Sequence, residues 1–408
     1  MELFRNTNYD FLGKKLPFIL LSLVLIGAGL VSIAVKGGIK YGIDFRGGAV
    51  MYVKFTGEPP VAEIRSALRD KVAGEVLVQR LTDQDSNEVI VTTELQDDRA
   101  LNETRQTMVD TLAATFGGGD PSRMDFNNAT QESLASYLRD PLAASGAQLS
   151  EADLQALVQG VLEFRNTPPR SGLITSFDQL AGVTGVTPEI LAVLKDRCTL
   201  GRFSVRSVEV VGPKVATDLR RQAVQATLLA LAGMLVYIAF RFEWVYGFAA
   251  VLAVFHDVVI TVGFLSLFDK EVSLTVIAGL LTLVGYSMND TIVIFDRVRE
   301  NLKILRRESF ETLVNRSVNQ TLARTVMTSG LTFLTVLALF LFGGPVLNPF
   351  SFTLVVGIIV GTYSSVFIAS PVVVWWVNRV ESRKRGRAQA SQAKPAKTET
   401  RPLAKKAR

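Results

Sequence analysis

Gly285-Tyr-Ser-Met-Asn-Asp-Thr-Ile-Val-Ile-Phe-Asp-Arg-Val-Arg-Glu-Asn301 closes an apolar run that begins near Val272. The run is long enough to cross a bilayer as a helix, which takes about 20 residues. Asn289 and Asp290 lie inside it, upstream of the charged exit at Asp296 and Arg297. A carboxylate at that depth costs roughly 2.5–3.5 kcal/mol, so it faces protein or water rather than lipid. Two readings compete for it. One is a structural polar residue hydrogen-bonded between helices; the other is an ion or proton site, which needs support from the rest of the chain.

With 408 residues and 48% hydrophobic content, the chain is too apolar for an ordinary soluble protein. Six windows read as transmembrane helices: Leu16–Val35, Val224–Phe240, Val245–Phe268, Val272–Phe295, Thr325–Phe342 and Phe352–Val377. Lys14, Lys15 and Pro17 open the first, and no small-residue cleavage site follows it. It reads as an anchor, not a removed signal peptide. Arg297, Arg299, Lys303, Arg306, Arg307 and Arg316 crowd residues 296–322, whereas Asp269–Glu271 holds one Lys and Gly343–Pro349 none. The positive-inside rule then puts both termini in the cytoplasm and residues 37–215 outside. The expected layout is a cytoplasmic N-terminus (1–15), a first membrane helix (16–36), an extracytoplasmic domain (37–215), a bundle of five further membrane helices (216–378) and a tail (379–408).

The net charge of +6 is a property of that tail, which carries eleven Lys/Arg against two Glu and leaves −3 for the remainder. Rich in Ala, Lys, Arg and Gln and without apolar periodicity, the tail reads as disordered, with anionic lipid headgroups as its contact. A basic balance confined there gives no reason to expect a nucleic-acid surface. Cys198 is the only cysteine, so no intrachain disulfide forms.

Outside the membrane, Gly37–Gly48 leads into an alternating strand, Ala49–Phe55. An amphipathic helix over 60–73 follows, then strands Val76–Leu81 and Glu88–Thr93 about the turn Thr82–Asn87. A helix over Ala100–Phe116 stops at Gly117-Gly-Gly119, and a last strand covers Phe203–Val211. This β-α-β-β-α-β order is that of a split βαβ, ferredoxin-like unit. Residues 120–201 interrupt it. Leu134, Leu138, Leu154, Leu157, Val158 and Val161 there suggest helices, and Ser176–Leu194 reads as helix, Gly-centred turn, helix, with Pro188 opening the second. Helix-hairpin-helix units of this kind hold DNA phosphates in many proteins. Here ten acids against six bases, outside the membrane, oppose that use. The insert reads as a protein-contact or packing module.

The membrane half is sparing with polar residues. His256-Asp257 lies in the third window, Asn289-Asp290 in the fourth, and Arg324 at the start of the fifth, with Thr328 and Ser329 one turn on. A lone His on an apolar helix is most simply structural, but Asp257 needs a cation or several donors once desolvated. Gly279, Gly285, Gly357 and Gly361 read as close helix packing. The chain has no Walker loop, no Rossmann glycine pattern, and too few His and Cys for a zinc or nucleophile–base site. No enzyme activity, metal or cofactor is expected, and any work done draws on an ion gradient.

Tyr41-Gly-Ile-Asp-Phe-Arg-Gly-Gly48, Ser204-Val-Arg-Ser-Val-Glu-Val-Val-Gly-Pro213, Val284–Asn301, Thr321-Leu-Ala-Arg-Thr-Val-Met-Thr-Ser-Gly330 and Phe342-Gly-Gly-Pro345 together resemble the SecF family of bacterial protein-export subunits. The resemblance covers residues 1–118 and 202–378; the insert and the tail depart from it. It implies an α-helical polytopic protein of the bacterial cytoplasmic (inner) membrane, half of a resistance-nodulation-division (RND) type permease, with an α+β ferredoxin-like extracytoplasmic domain. It also implies SecD as the other half about a pseudo-two-fold axis. The SecYEG channel, SecA, YajC and the translocating preprotein are further partners, and the proton-motive force drives late steps of translocation. The family's fourth-helix carboxylate falls on Asp290 and its fifth-helix Arg on Arg324. Such a pair is a two-state element: the cation stabilises the charged carboxylate until a conformational change separates them. Asn289 is placed to orient the carboxylate, and Asp257 is a secondary candidate. Asp44, Arg46, Gly47 and Gly48 form a turn outside the first helix that is either structural or transmits motion. Two other readings stay open: a stand-alone RND-type antiporter, against which six helices without duplication speak, and an assembly subunit with no ion role.

Overall fold

The computed structural model describes residues 7–72, 74, 76–80, 87–94, 101–117, 120, 122–146, 149–305 and 307–392. Tyr41–Gln222 form one compact unit, and the chain on either side of it forms the other. The first helix, α1 (Lys15–Val35), belongs to the second of these.

The 41–222 unit starts with a single turn, α2 (Ile43–Arg46), and the strand β1 (Gly48–Phe55). Between them Gly47 and Gly48 have φ of +79° and +146°, which side-chain-bearing residues rarely adopt. A Cβ on Gly48 would also strike the Thr93 carbonyl. Next come α3 (Val61–Arg69), β2 (Val76–Arg80), β3 (Glu88–Thr93) and α4 (Leu101–Phe116). Residues 82–86 of the expected turn and two of the three stop glycines, at 118 and 119, lie outside the described residues. After them are β4 (Met124–Asp125), α5 (Gln131–Ala144), α6 (Glu151–Asn166), a 3-10 turn over Phe177–Gly182, α7 (Pro188–Arg197), β5 (Cys198–Thr199) and β6 (Phe203–Val211). The sheet order is β2-β3-β1-β6 with antiparallel neighbours, the arrangement a split βαβ unit requires. Met51, Val53, Ile64, Leu68, Val89 and Val91 fill the space between sheet and helices with no residual exposure. Each such burial is worth about 1.5–3 kcal/mol.

The insert packs about a core of its own, Leu134, Leu138, Leu157, Val158, Leu180 and Leu194. Thr130, Ser150 and Thr187 cap its helices by accepting from the backbone N–H of Ser133, Asp153 and Ile190. The first arm of the expected helix-hairpin-helix is only a 3-10 turn, while Pro188 opens α7 as its missing donor allows. Parallel pairing of β4 with β5 closes the insert's two ends against each other. At that junction Asn127, 1% exposed, donates to the carbonyls of Ile174 and Gly201 and accepts from the Ile174 N–H.

In the other unit α1 is followed by α8 (Pro213–Arg241, its start shared with the first unit), α9 (Trp244–Leu267), α10 (Leu274–Ile304), α11 (Phe310–Phe342) and α12 (Gly344–Ser364). A π turn over Ser365–Ala369 then joins α12 to α13 (Ser370–Gln392). Among the described residues six helices are long and apolar enough to span a membrane, the last counted over Val346–Val380. Several outrun the sequence windows because their polar ends continue as helix. The tail is the clearest departure: helix persists to Gln392 rather than ending at 378, as a run of Arg, Lys, Ala and Gln favours. Residues from 393 on lie outside the described ones.

Burial sorts the six. More than half of the α9 and α12–α13 windows is buried inside the chain, against 6–17% for α1, α8 and α11. α9, α10 and α12 therefore form the interior, and glycine sets how close they come. A Cβ on Gly357 would overlap the Leu283 side chain, and one on Gly361 would press on Ser287. Gly29 of α1 meets Gly263 of α9 just as closely, a contact the sequence reading did not single out. Gly285 differs from the packing expected of it, with open space beside it.

Candidate functional site

The interior of the bundle carries hydroxyls and carboxylates from four helices. Adjacent helical residues point about 100° apart, and of Asn289 and Asp290 one faces inward. It is Asp290, 2% exposed, and its Oδ2 accepts from the Ser329 hydroxyl of α11 at 2.8 Å. Asn289 is exposed and does not orient the carboxylate; Ser329 holds that position. Arg324 is exposed too, and among the described residues it forms no ion pair with Asp290, although its charge acts there at a distance. Two buried hydroxyls have no hydrogen-bond partner among the described residues, Tyr286 one turn before Asp290 and Thr325 one turn before Ser329.

Asp257 sits in a different setting. It is fully buried, and each oxygen is engaged: Oδ1 with His256 Nδ1 at 2.8 Å, Oδ2 with the hydroxyls of Ser287 at 2.5 Å and Ser364 at 2.8 Å. The donors come from α9, α10 and α12, so the carboxylate ties the interior helices together. Beside it Thr291 and Ser365 share a hydrogen bond at 2.9 Å, at the start of the π turn. The Ser370 hydroxyl donates to the Ser365 carbonyl five residues back, across the π turn. Ser287, Ser364 and Ser365 escaped the sequence reading. Serines within an apolar span are a signal, but their partners lie as far as 107 residues away.

Outside the bundle, Arg46 pairs with Glu94 at 3.1 Å, both exposed. Gly47 lies against Pro213, the first residue of α8, so the glycine turn abuts a helix that continues into the apolar bundle. Lys40 and Lys36 donate to Asp269 at 2.8 and 2.9 Å and hold its carboxyl below the usual range. Asn315 and Asn319 of α11 clasp the backbone of Tyr9 and Phe11, fixing the N-terminal segment to the bundle. No group of three His, Cys, Asp or Glu gathers among the described residues.

Comparison with known proteins gives a consistent picture. The family described as "Protein export membrane protein SecD/SecF, C-terminal" matches residues 193–379, and "SecD/SecF GG Motif" matches residues 31–58. Protein translocase subunit SecF of Koribacter versatilis is 45% identical over 92% of this chain and 93% of its own length. Its counterpart in Calditerrivibrio nitroreducens is 37% identical over 91% and 96%. The crystal structure of SecDF, a translocon-associated membrane protein from Thermus thermophilus, superposes with a TM-score of 0.62 at 31% identity. That match covers 91% of this chain but 39% of the longer SecDF chain.

Proposed function

This chain belongs to the SecF family of protein translocase subunits, and on that premise we propose that it uses the proton-motive force, at Asp290, to promote late steps of polypeptide translocation through SecYEG. The observation that carries the reading is Asp290 itself: buried in an apolar helix, held by the Ser329 hydroxyl, and in no ion pair with Arg324 among the described residues. A structural carboxylate would be saturated with donors, as Asp257 is. One with a single donor can gain or lose a proton while breaking little. Moving one charge through 100 mV is worth about 2.3 kcal/mol, enough to shift a balanced equilibrium roughly fifty-fold.

Arg324, Asn289 and Gly285 lie exposed on α10 and α11. A guanidinium and an amide at membrane depth are costly against lipid, so this face is suited to a second membrane protein. SecD, as the other half of an RND-type pair, is the partner proposed, with SecA, YajC and the preprotein as further members of the assembly. The proposed orientation has both termini in the cytoplasm, where the cationic end of α13 meets anionic headgroups. The glycine turn at Gly47-Gly48, beside Pro213, is proposed to pass motion between the bundle and the 37–215 segment. The insert is proposed as a protein-contact module.

Complementation tests this. Cells depleted of the native protein are supplied with Asp290→Asn, Arg324→Met or a deletion of 120–201, and export of a reporter preprotein is followed with co-purification of SecD. The proposal expects both point variants to assemble and fail in export. Normal export by both would make the polar pair structural and leave an assembly role, and loss confined to the deletion would move the function outside the membrane.

A further inference from the structure

His256 is the only histidine in the chain, and the role proposed for Asp290 does not use it. It is nearly buried, its ring lies edge-on to Tyr363 at 5.9 Å, and among the described residues its Nε2 has no hydrogen-bond partner. An unsatisfied polar atom in an apolar interior is destabilising, so it is retained for a reason or occupied in use.

The helices define where that atom sits. Ser32 of α1 bonds Ser266 of α9 at 2.9 Å, an offset of 234 residues, and Gly29 meets Gly263 at the same offset. Two turns further along the same faces, that register sets Ser22 opposite His256. Ser22, 2% exposed, shares a hydrogen bond of 3.0 Å with the Tyr363 hydroxyl. The ring thus stands at the seam of α1, α9 and α12. Facing it are Asp257 from its own helix, Ser22 from α1 and Tyr363 from α12, while Ser287 reaches the carboxylate from α10. Of these only Asp257 and Tyr363 are titratable.

Two hydroxyls donate into Asp257 Oδ2, and Oδ1 is left for the imidazole. With Nδ1–H donating to that carboxylate, the ring's other nitrogen is a bare acceptor. A proton can therefore come and go at Nε2 without breaking any bond of the cluster, and its arrival changes the pair from one net negative charge to none. We propose that His256 is a second proton-carrying group of the bundle, titrating at Nε2, and that Asp257, itself held by serines of α10 and α12, is its positioning residue and fixes the tautomer. Proton uptake there would offset the charge that Asp257 presents to the serines of α10 and α12, and release would restore it. The consequence for export rests on the proton-coupling reading above; the protonation itself does not.

A single histidine makes the test direct. The full chain, purified with a histidine-free tag into lipid nanodiscs, is labelled with ring-15N histidine, and the two nitrogen resonances are followed from about pH 8 to about pH 5. The expected result is one protonated nitrogen (Nδ1) and one bare nitrogen at the upper end, with Nε2 protonating as pH falls. Asp257→Asn should release the tautomer, giving a mixture, while Asp290→Asn should leave the titration unchanged. An Nε2 that carries a proton throughout, or a ring that never titrates, overturns the proposal and makes His256 structural. In the export assay His256→Gln, which keeps a hydrogen-bonding side chain but no titration, should flatten the pH dependence of gradient-driven export; an unaltered pH profile counts against the proposal. If Asp290→Asn exports normally while Nε2 still titrates, the Asp290 reading fails and this one stands.

Discussion

Asn127 offers the most quantitative test of how the insert is built. Its side chain makes three hydrogen bonds, to the Ile174 carbonyl at 3.1 Å, the Gly201 carbonyl at 2.9 Å and from the Ile174 N–H at 3.1 Å. Replacement by Ala leaves all three backbone groups buried and unpaired, at about 1 kcal/mol net for each bond, so about 3 kcal/mol in all. Every 1.4 kcal/mol is a factor of ten, so the population with the insert's root opened should rise on the order of a hundredfold. Cys198 reports it. The thiol is 2% exposed, lies on β5 beside the junction, and is pushed by burial up to about 12. Modification at neutral pH therefore proceeds through opening, and when reclosure is fast its rate follows the open population. Asn127→Ala should speed labelling of the full-length protein by a maleimide or disulfide reagent on the order of a hundredfold. An increase below about threefold would refute the claim that Asn127 holds the insert's two ends together.

Three other outcomes follow from the same structure. The Cys198 proton is held more tightly in the folded chain than at the thiol's ordinary value of 9.0, so its contribution is complete below about pH 9 and drains away as pH rises toward 12; protease protection of the insert should fall across that window, and Cys198→Ala should remove the part of the fall the thiol causes. Gly357→Leu drives a side chain into Leu283 and should cost about 1–3 kcal/mol in detergent unfolding, whereas Gly285→Leu, with open space beside it, should leave the isolated chain's unfolding unchanged. Glu88, 6% exposed, accepts two bonds from Arg206 at 2.8 Å, so Glu88→Ala should destabilise the 41–222 unit by about 1.5–3 kcal/mol, against less than about 1 for Arg46→Ala, whose pair with Glu94 is exposed.

The fold was legible where local chemistry repeats. Apolar runs marked all six spans, and the strands Glu88–Thr93 and Phe203–Val211 fall where alternation and glycine put them. Where polar contact depends on distant chain, the sequence was silent. Nothing near Asp290 says that Ser329 is its donor, nor that Asn289, one residue away, turns outward. That Asp257 needs several donors could be read from its apolar helix, but not which serines supply them, because those come from helices 30 and 107 residues on. The tail misled for the opposite reason: without an apolar stripe it looked disordered, yet its composition carries helix on from α13.

The central claim is that gradient coupling passes through Asp290. Inverted membrane vesicles containing SecYEG, SecD and either the wild-type chain or Asp290→Asn would be loaded with a preprotein arrested late in translocation, and its completion compared with and without a proton gradient. The account expects the gradient to accelerate completion only with wild type, while both chains co-purify with SecD in equal amounts. Equal acceleration with Asp290→Asn would contradict it.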